Sequence, residues 1–247
     1  MSIAVVCTSF REWRWVKALE KHVAKAGMEF VHTPAVSSWH GDEQDVMGHI
    51  SCPNEADQRN FALGRAWDKG HEWAITLDAD EVFSLADFAA LQAFLGMVHR
   101  EKSIVLAAKM NTYFKSVDWR VTPREPHAPV IAVRNTTPEP FMDGRCVKSY
   151  CCMERWDGGI LEHFSWARPE PEIVMKLKTF SHALQVRPGW YEDVWKRWTP
   201  ASRNFHPLGT GDGYQGVCVS EASQEIRDYW TRAVTHKSKE IEEVAVT

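Results

Sequence analysis

Residues 74–83 read AITLDADEVF. A short apolar run breaks off into three carboxylates, Asp78, Asp80 and Glu81. An apolar run of this length, bounded by turn signals, predicts a buried strand. Side chains two apart on a strand share a face, so Asp78 and Asp80 are expected on one side of its carboxyl end. Such a pair suits a hard divalent cation. One carboxylate ligates it, water and phosphate oxygens complete the shell, and the other orients a ribose or a metal-bound water. Glu81 is expected as a helix-start acid complementing the dipole. The plainer reading is an acidic turn with no ligand.

The flanking sequence alternates. IAVVCTSF (3–10) predicts a strand, and REWRWVKALEKHVAKAG a helix with Val16, Leu19, Val23 and Ala26 on one face and Gly27 as its stop. MEFVHT (28–33) is a second strand, and residues 34–53 are a loop. Asn54 is placed to cap the helix EADQRNFALGRAWDKG. SLADFAALQAFLGMVHRE is an amphipathic helix capped by Ser84, and SIVLAAKMNTYF a further strand. The β-α-β-α-β-α-β order predicts an open, mainly parallel α/β sheet with helices on both faces. Ligands bind such sheets beyond the carboxyl ends of the strands, here residues 8–10 and 78–80. After residue 112 prolines break the pattern. PEIVMKLKTFSHAL, GWYEDVWKRW and the segment from Ser220 read as helices.

Composition sets outer limits. The 247 residues are 44% hydrophobic and 25% charged, which suits one globular α/β domain. No apolar run approaches the roughly 20 residues that span a membrane, and the N-terminus does not read as a signal peptide. The six cysteines lack a C-x-x-C pair, so a reduced, cytoplasmic protein is expected. Residues 101–207 carry 16 Lys/Arg against 12 Asp/Glu between two acidic ends. That mild excess could help hold an anionic ligand, but it does not by itself define a nucleic-acid protein. The 12 tryptophans are expected mostly in the core, although an indole also suits stacking on a sugar or base.

The stretch 54–83, NEADQRNFALGRAWDKGHEWAITLDADEVF, resembles the family 2 glycosyltransferases. The likeness is strongest to the bacterial branch that builds the lipopolysaccharide core, where a helix with QRN-AL leads into a strand ending in LDADE. The resemblance covers residues 1–115. It implies a GT-A fold, a nucleoside-diphosphate-sugar donor (a UDP-sugar first), Mg²⁺ or Mn²⁺, and inverting transfer. Residues 1–115 would be the donor half of one domain and 116–247 the acceptor half. By position, Thr8, Ser9 and Phe10 would line the nucleoside pocket, and Arg59 and Asn60 would face the nucleotide. Asp78 would meet ribose or metal-bound water, and Asp80 would ligate the metal. A guanidinium suits phosphate because it donates two parallel hydrogen bonds. An Arg59–Glu55 pair at i−4 is the competing reading. The family's usual acidic turn after the second strand is replaced by TPAVSSWHGDEQD, where Asp42 or Asp45 would have to substitute.

In the second half, His163 is the candidate second metal ligand, imidazole being suited to Mn²⁺. Lys176, and behind it Lys178, would neutralise the leaving diphosphate; His182 and His206 are weaker candidates. An inverting enzyme needs a carboxylate base. Asp157 and Glu154, in CMERWDGG, are favoured over Asp143 and Glu162 because a glycine-rich turn would expose them. GDGYQG (211–216) fits Gly-x-Gly-x-x-Gly in form only. No apolar strand precedes it, so a loop or lid is expected. The acceptor is a saccharide or glycan, or else a hydroxymethylated base in phage DNA flipped out of the helix. A sugar-phosphate nucleotidyltransferase and a non-catalytic nucleotide-sugar-binding module are the rivals.

Overall fold

The computed structural model describes residues 1–35, 53–98, 104–136, 139–143, 145–148, 151–208 and 214–235. Asp42, Asp45, the side chains of Asn54 and Asp143, and residues 209–213 of the glycine-rich loop lie outside what is described. In chain order the elements are β1 (Ile3–Ser9), α1 (Trp13–Lys25), β2 (Glu29–Pro34), α2 (Pro53–Asp68), β3 (Trp73–Asp78), β4 (Glu81–Val82), α3 (Leu85–Met97) and β5 (Ile104–Phe114). There follow β6 (Ser116–Thr122), β7 (Val130–Arg134), β8 (Phe141–Asp143), β9 (Cys146–Val147), β10 (Cys152–Trp166), α4 (Glu170–Thr179), β11 (Gly216–Val219) and α5 (Gln224–Thr235).

One sheet has the order β11-β6-β5-β7-β3-β1-β2, with β10 laid along β5 and β4 against β10. β1 lies parallel to β2 and β3, and β10 parallel to β5. β7 is antiparallel to both β3 and β5. Tracing directions through the pairings, β1, β2, β3, β5, β10 and β11 run one way and β4, β6 and β7 the other. This is the expected open α/β sheet, consistent with a GT-A, Rossmann-like architecture. It differs in the second half, where short connections return antiparallel strands.

Strand alternation builds a core on each face. Val5, Cys7, Ile75 and Leu77 point toward α1, α3 and α5, meeting Leu19, Leu91 and Tyr229. Ala4, Val6 and Ala74 point the other way, onto Ala62, Leu63 and Ala66 of α2. The expected punctuation is present. Gly27 and Gly70 take φ of 72° and 79° beyond α1 and α2, in the left-handed region that favours glycine. The Asp87 N–H donates to Ser84 Oγ at 3.0 Å, capping α3. Among the described residues no helix is long and apolar enough to cross a membrane. The five described cysteines are free thiols.

Two segments depart from expectation. GWYEDVWKRW does not continue as a helix; it makes a single π turn at Tyr191–Trp195. Trp190 and Trp195 turn inward instead, joining Phe114, Trp166, Phe205 and Tyr214 in a third, aromatic core. Burying indoles of this size outweighs the fractions of a kcal/mol per residue that helix propensity supplies. CMERWDGG is not a turn. It lies inside the 15-residue strand β10, where the pairing with β5 slips between Trp156 and Ile160. Asp157, Gly158 and Gly159 form the bulge. A Cβ on Gly159 would stand 2.6 Å from Trp156 Cη2 and 2.7 Å from Asp87 Oδ1. Gly159→Ala is therefore expected to destabilise the fold by about 1–3 kcal/mol through overpacking. Urea unfolding checks this; a change within about 0.5 kcal/mol would mean that the bulge relaxes freely.

Candidate functional site

A cavity of about 270 Å³ opens beyond the carboxyl ends of β1 and β3, between α2 and α4. The end of β1 contributes Thr8 and Phe10, β3 and its turn contribute Asp78 and Asp80, and α2 contributes Glu55 and Arg59. β10 and α4 contribute His163, Trp166, Glu172 and Lys176, with Arg168 between them.

The two aspartates stand in separate ion-pair networks. Asp78 Oδ1 accepts from Arg59 Nη2 at 2.7 Å, and Arg59 is also bound to Glu55 Oε1 at 2.7 Å. The Glu55 pair is thus present, and Arg59 lines the cavity as well. The residue is a buried bridge, 6% exposed, rather than a surface partner. Glu81 is not a helix-start acid. It is 1% exposed, pairs with Arg145 Nη1 at 2.6 Å and accepts from the Asp78 N–H at 2.9 Å. Together Glu81 and Arg145 fix the turn that presents Asp78 and Asp80.

Asp80 is 3% exposed. Its Oδ2 accepts from Arg168 Nη2 and, at 3.3 Å, from Lys176 Nζ. Its Oδ1 faces His163 Nε2 at 3.7 Å. Burial alone would push this carboxyl up. Arg168 first, then Lys176 and His163, outweigh burial and hold it well below the usual carboxylate range. Asp78 is likewise lowered, because Arg59 and Arg145 outweigh its burial. Arg168 also donates to Glu12 Oε1 at 2.5 Å and lies over the Trp15 ring, 5.1 Å from its centroid. For Glu12 burial is the larger effect, and its carboxyl is raised despite that bond.

Of the candidate residues, the fold brings Thr8, Phe10, Arg59, Asp78, Asp80, His163 and Lys176 to this cavity. His182 and His206 also line it, while Lys178 lies outside the lining. Ser9 points to the other face of β1, where its Oγ lies 2.8 Å from His32 Nε2. Asn60 sits about 100° around the helix from Arg59. Its side chain clamps the Phe141 backbone at 2.9 and 3.1 Å. Asp157 and Glu154 lie outside the cavity lining; Asp157 is exposed on the β10 bulge and ion-paired with Lys109 at 2.9 Å. Sequence reasoning missed Arg168, Arg145 and Glu12. The signal available was the run HFSWARPEPEIVMK. There Arg168 precedes the helix that carries Lys176, so both can reach back to the strand end bearing His163.

The donor set can be weighed for a divalent ion. Among the described residues no group of three or more His, Cys, Asp or Glu could hold a metal. Asp80 Oδ1 and His163 Nε2 do flank one point, while the cations engage Oδ2. Two protein ligands fit an ion whose remaining positions are filled by phosphate and water oxygens.

No protein-family model matches the chain, and no curated protein sequence matches it. Among solved structures it is similar to a glycosyltransferase involved in the glycosylation of the major capsid of PBCV-1, at 12% identity and a TM-score of 0.35, over 55% of this chain and 61% of that one. It is similar to A197 from STIV at 16% identity and a TM-score of 0.30, over 55% and 66% of the two chains. A mannose-1-phosphate geranyltransferase from Thermus thermophilus aligns at 14% identity and a TM-score of 0.30, over 54% and 50%. The chain spans roughly half to two thirds of the length of these structures.

Proposed function

We propose that the cavity binds a nucleoside-diphosphate sugar and that the protein transfers the sugar to an acceptor hydroxyl, with inversion. The observation that carries this reading is the convergence of Asp78, Asp80, His163, Arg59, Arg168 and Lys176 on one cavity at the carboxyl ends of β1 and β3. An acidic turn without a ligand would not require three basic side chains from α2, α4 and the segment between β10 and α4. The run QRN-AL…LDADE supports the same reading.

In this proposal Thr8 and Phe10 line the nucleoside pocket, and Asp78, held by Arg59, orients the ribose. Asp80 Oδ1 and His163 Nε2 would hold Mn²⁺ or Mg²⁺, which would act as a Lewis acid on the diphosphate. Arg168 and Lys176 are strong donors now engaged with Asp80. A diphosphate entering the cavity would draw them onto its own oxygens and take up the charge of the leaving group. The donor is a UDP-sugar by preference, and the acceptor a glycan.

Calorimetry against UDP, GDP, ADP and dTDP, with and without Mn²⁺, tests the reading. One nucleotide is expected to bind at micromolar Kd with a clear Mn²⁺ increment. No binding to any of them by folded protein would leave LDADE as a structural turn.

A further inference from the structure

The transfer reading lacks a base, and the cavity's own carboxylates are poor ones. Among the described residues the five that line it are tied to arginine: Glu12 to Arg168, Glu55 and Asp78 to Arg59, Asp80 to Arg168, and Glu172 to Arg14 and Arg168. A carboxylate held by a guanidinium has its lone pairs engaged, and for Asp78 and Asp80 the proton affinity is lowered as well. Protonating it would also leave a buried cation without its partner. Glu162 faces Tyr113 and Asn111, which donate at 2.7 and 3.1 Å. It directly precedes His163 on β10 and therefore points to the other face of the sheet, away from the cavity.

Resting on the transfer reading above, we propose that Glu125 is the base that accepts the proton of the acceptor hydroxyl. Glu125 is half-buried in the segment joining β6 to β7. Its Oε1 accepts from the Thr112 hydroxyl, and Tyr214 lies close enough for the same carboxylate to push its hydroxyl pKa up, after burial. Thr112 stands opposite His163 in the parallel register of β5 and β10. Register partners point to the same face and lie ~4.8 Å apart. The Glu125 carboxylate is therefore next to the imidazole that flanks Asp80. On its other side the Tyr214 ring packs edge-on against His206, with centroids 4.5 Å apart. His163 and His206 both line the cavity. Glu125 thus stands just behind the lining, beside two lining imidazoles, with the neutral Thr112 hydroxyl on its Oε1, and among the described residues no lysine or arginine pairs with it.

The step balances without a further reagent. The acceptor oxygen forms its bond to the anomeric carbon as its O–H proton passes to Glu125. The bond from that carbon to the diphosphate oxygen breaks, and its electron pair leaves with the nucleoside diphosphate. Glu125 then returns the proton to solvent. Because Thr112 and Tyr214 are neutral, no buried cation loses its counter-ion while Glu125 carries the proton.

Water is the acceptor probe, and release of nucleoside diphosphate from UDP-, GDP-, ADP- and dTDP-glucose is the readout. Wild type, Glu125→Gln and Glu125→Asp are compared, with nucleoside-diphosphate Kd and thermal midpoint measured alongside. Glu125→Gln is expected to slow release about 100-fold with Kd within about twofold of wild type. Glu125→Asp, which keeps a carboxylate, should recover at least about a tenth of the wild-type rate. Wild-type rates in Glu125→Gln would overturn the proposal, as would a rate loss matched by lost nucleotide affinity or lost stability. Wild type that releases no nucleotide from any of the four donors would overturn the transfer reading itself, and this base with it.

Discussion

Replacing Arg168 with methionine is expected to destabilise the fold by about 3–5 kcal/mol, the range seen when one partner of a buried ion pair is removed. The side chain is 6% exposed, and Nη2 alone serves both Asp80 and Glu12. Methionine keeps an apolar stem and removes the guanidinium, and with it the contact in which Cζ lies 5.1 Å from the Trp15 ring centroid. The loss would then report chiefly the two carboxylates stranded without it. Lysine keeps the charge but cannot span both acids, so Arg168→Lys should fall between methionine and wild type.

The pH dependence of that loss has a definite sign. Asp80 is held well below the usual carboxylate range in the folded chain. Its pairing therefore contributes stability that is full above the unfolded-chain value of about 3.9 and is lost as pH falls through the lower folded value. Without Arg168 the main force lowering that value is gone, and Asp80 protonates at higher pH. The gap between wild type and Arg168→Met should be widest near neutrality and narrow as pH drops toward about 4. Urea titrations at several pH values measure it. A gap independent of pH would mean that lost packing over Trp15, not charge, sets the cost.

How much of this arrangement is legible in the chain depends on how local the determinant is. The alternation of strands and helices, the glycine stops and the Ser84 cap are set within a few residues, and they are found where the pattern puts them. Asp78, Asp80, Arg59, His163 and Lys176 reach the cavity because each sits at an element end or on a helix face whose direction the fold class already implies. Ser9 and Asn60 miss it on parity, which the sequence does carry. Ser9 alternates away from Thr8 and Phe10, and Asn60 is a third of a turn from Arg59. Arg145 and Arg168 are not legible, because each reaches a carboxylate more than 60 residues away in sequence. No local pattern encodes such a partner. The bulge at Gly158–Gly159 reads as a turn because a pair of glycines is a turn signal unless a long strand continues on both sides. Trp156 and Ile160–Trp166 supply that continuation only once β5 is there to pair with.

Asp80→Asn is expected to lower the proposed sugar transfer about 10³-fold, the effect of losing roughly 4 kcal/mol of leaving-group stabilisation. The introduced amide would keep one acceptor oxygen for Arg168 or Lys176 but no charge. Arg168 retains Glu12 as a counter-ion at 2.5 Å, so the fold should survive, with a loss of about 1–3 kcal/mol. This separates the effect on function from the effect on stability, a separation that Arg168→Met does not allow. The decisive measurement is nucleotide affinity with and without Mn²⁺. Arg59 and Asp78 are untouched, so Asp80→Asn should keep or exceed the affinity seen without Mn²⁺ and lose the increment that Mn²⁺ adds. Any gain for the free diphosphate would come from Arg168 and Lys176, no longer drawn to a carboxylate at that position. An undiminished Mn²⁺ increment in a folded Asp80→Asn protein would remove Asp80 from the metal site. The Arg168–Asp80–Lys176 cluster would then be a structural clamp between the β3 turn and α4.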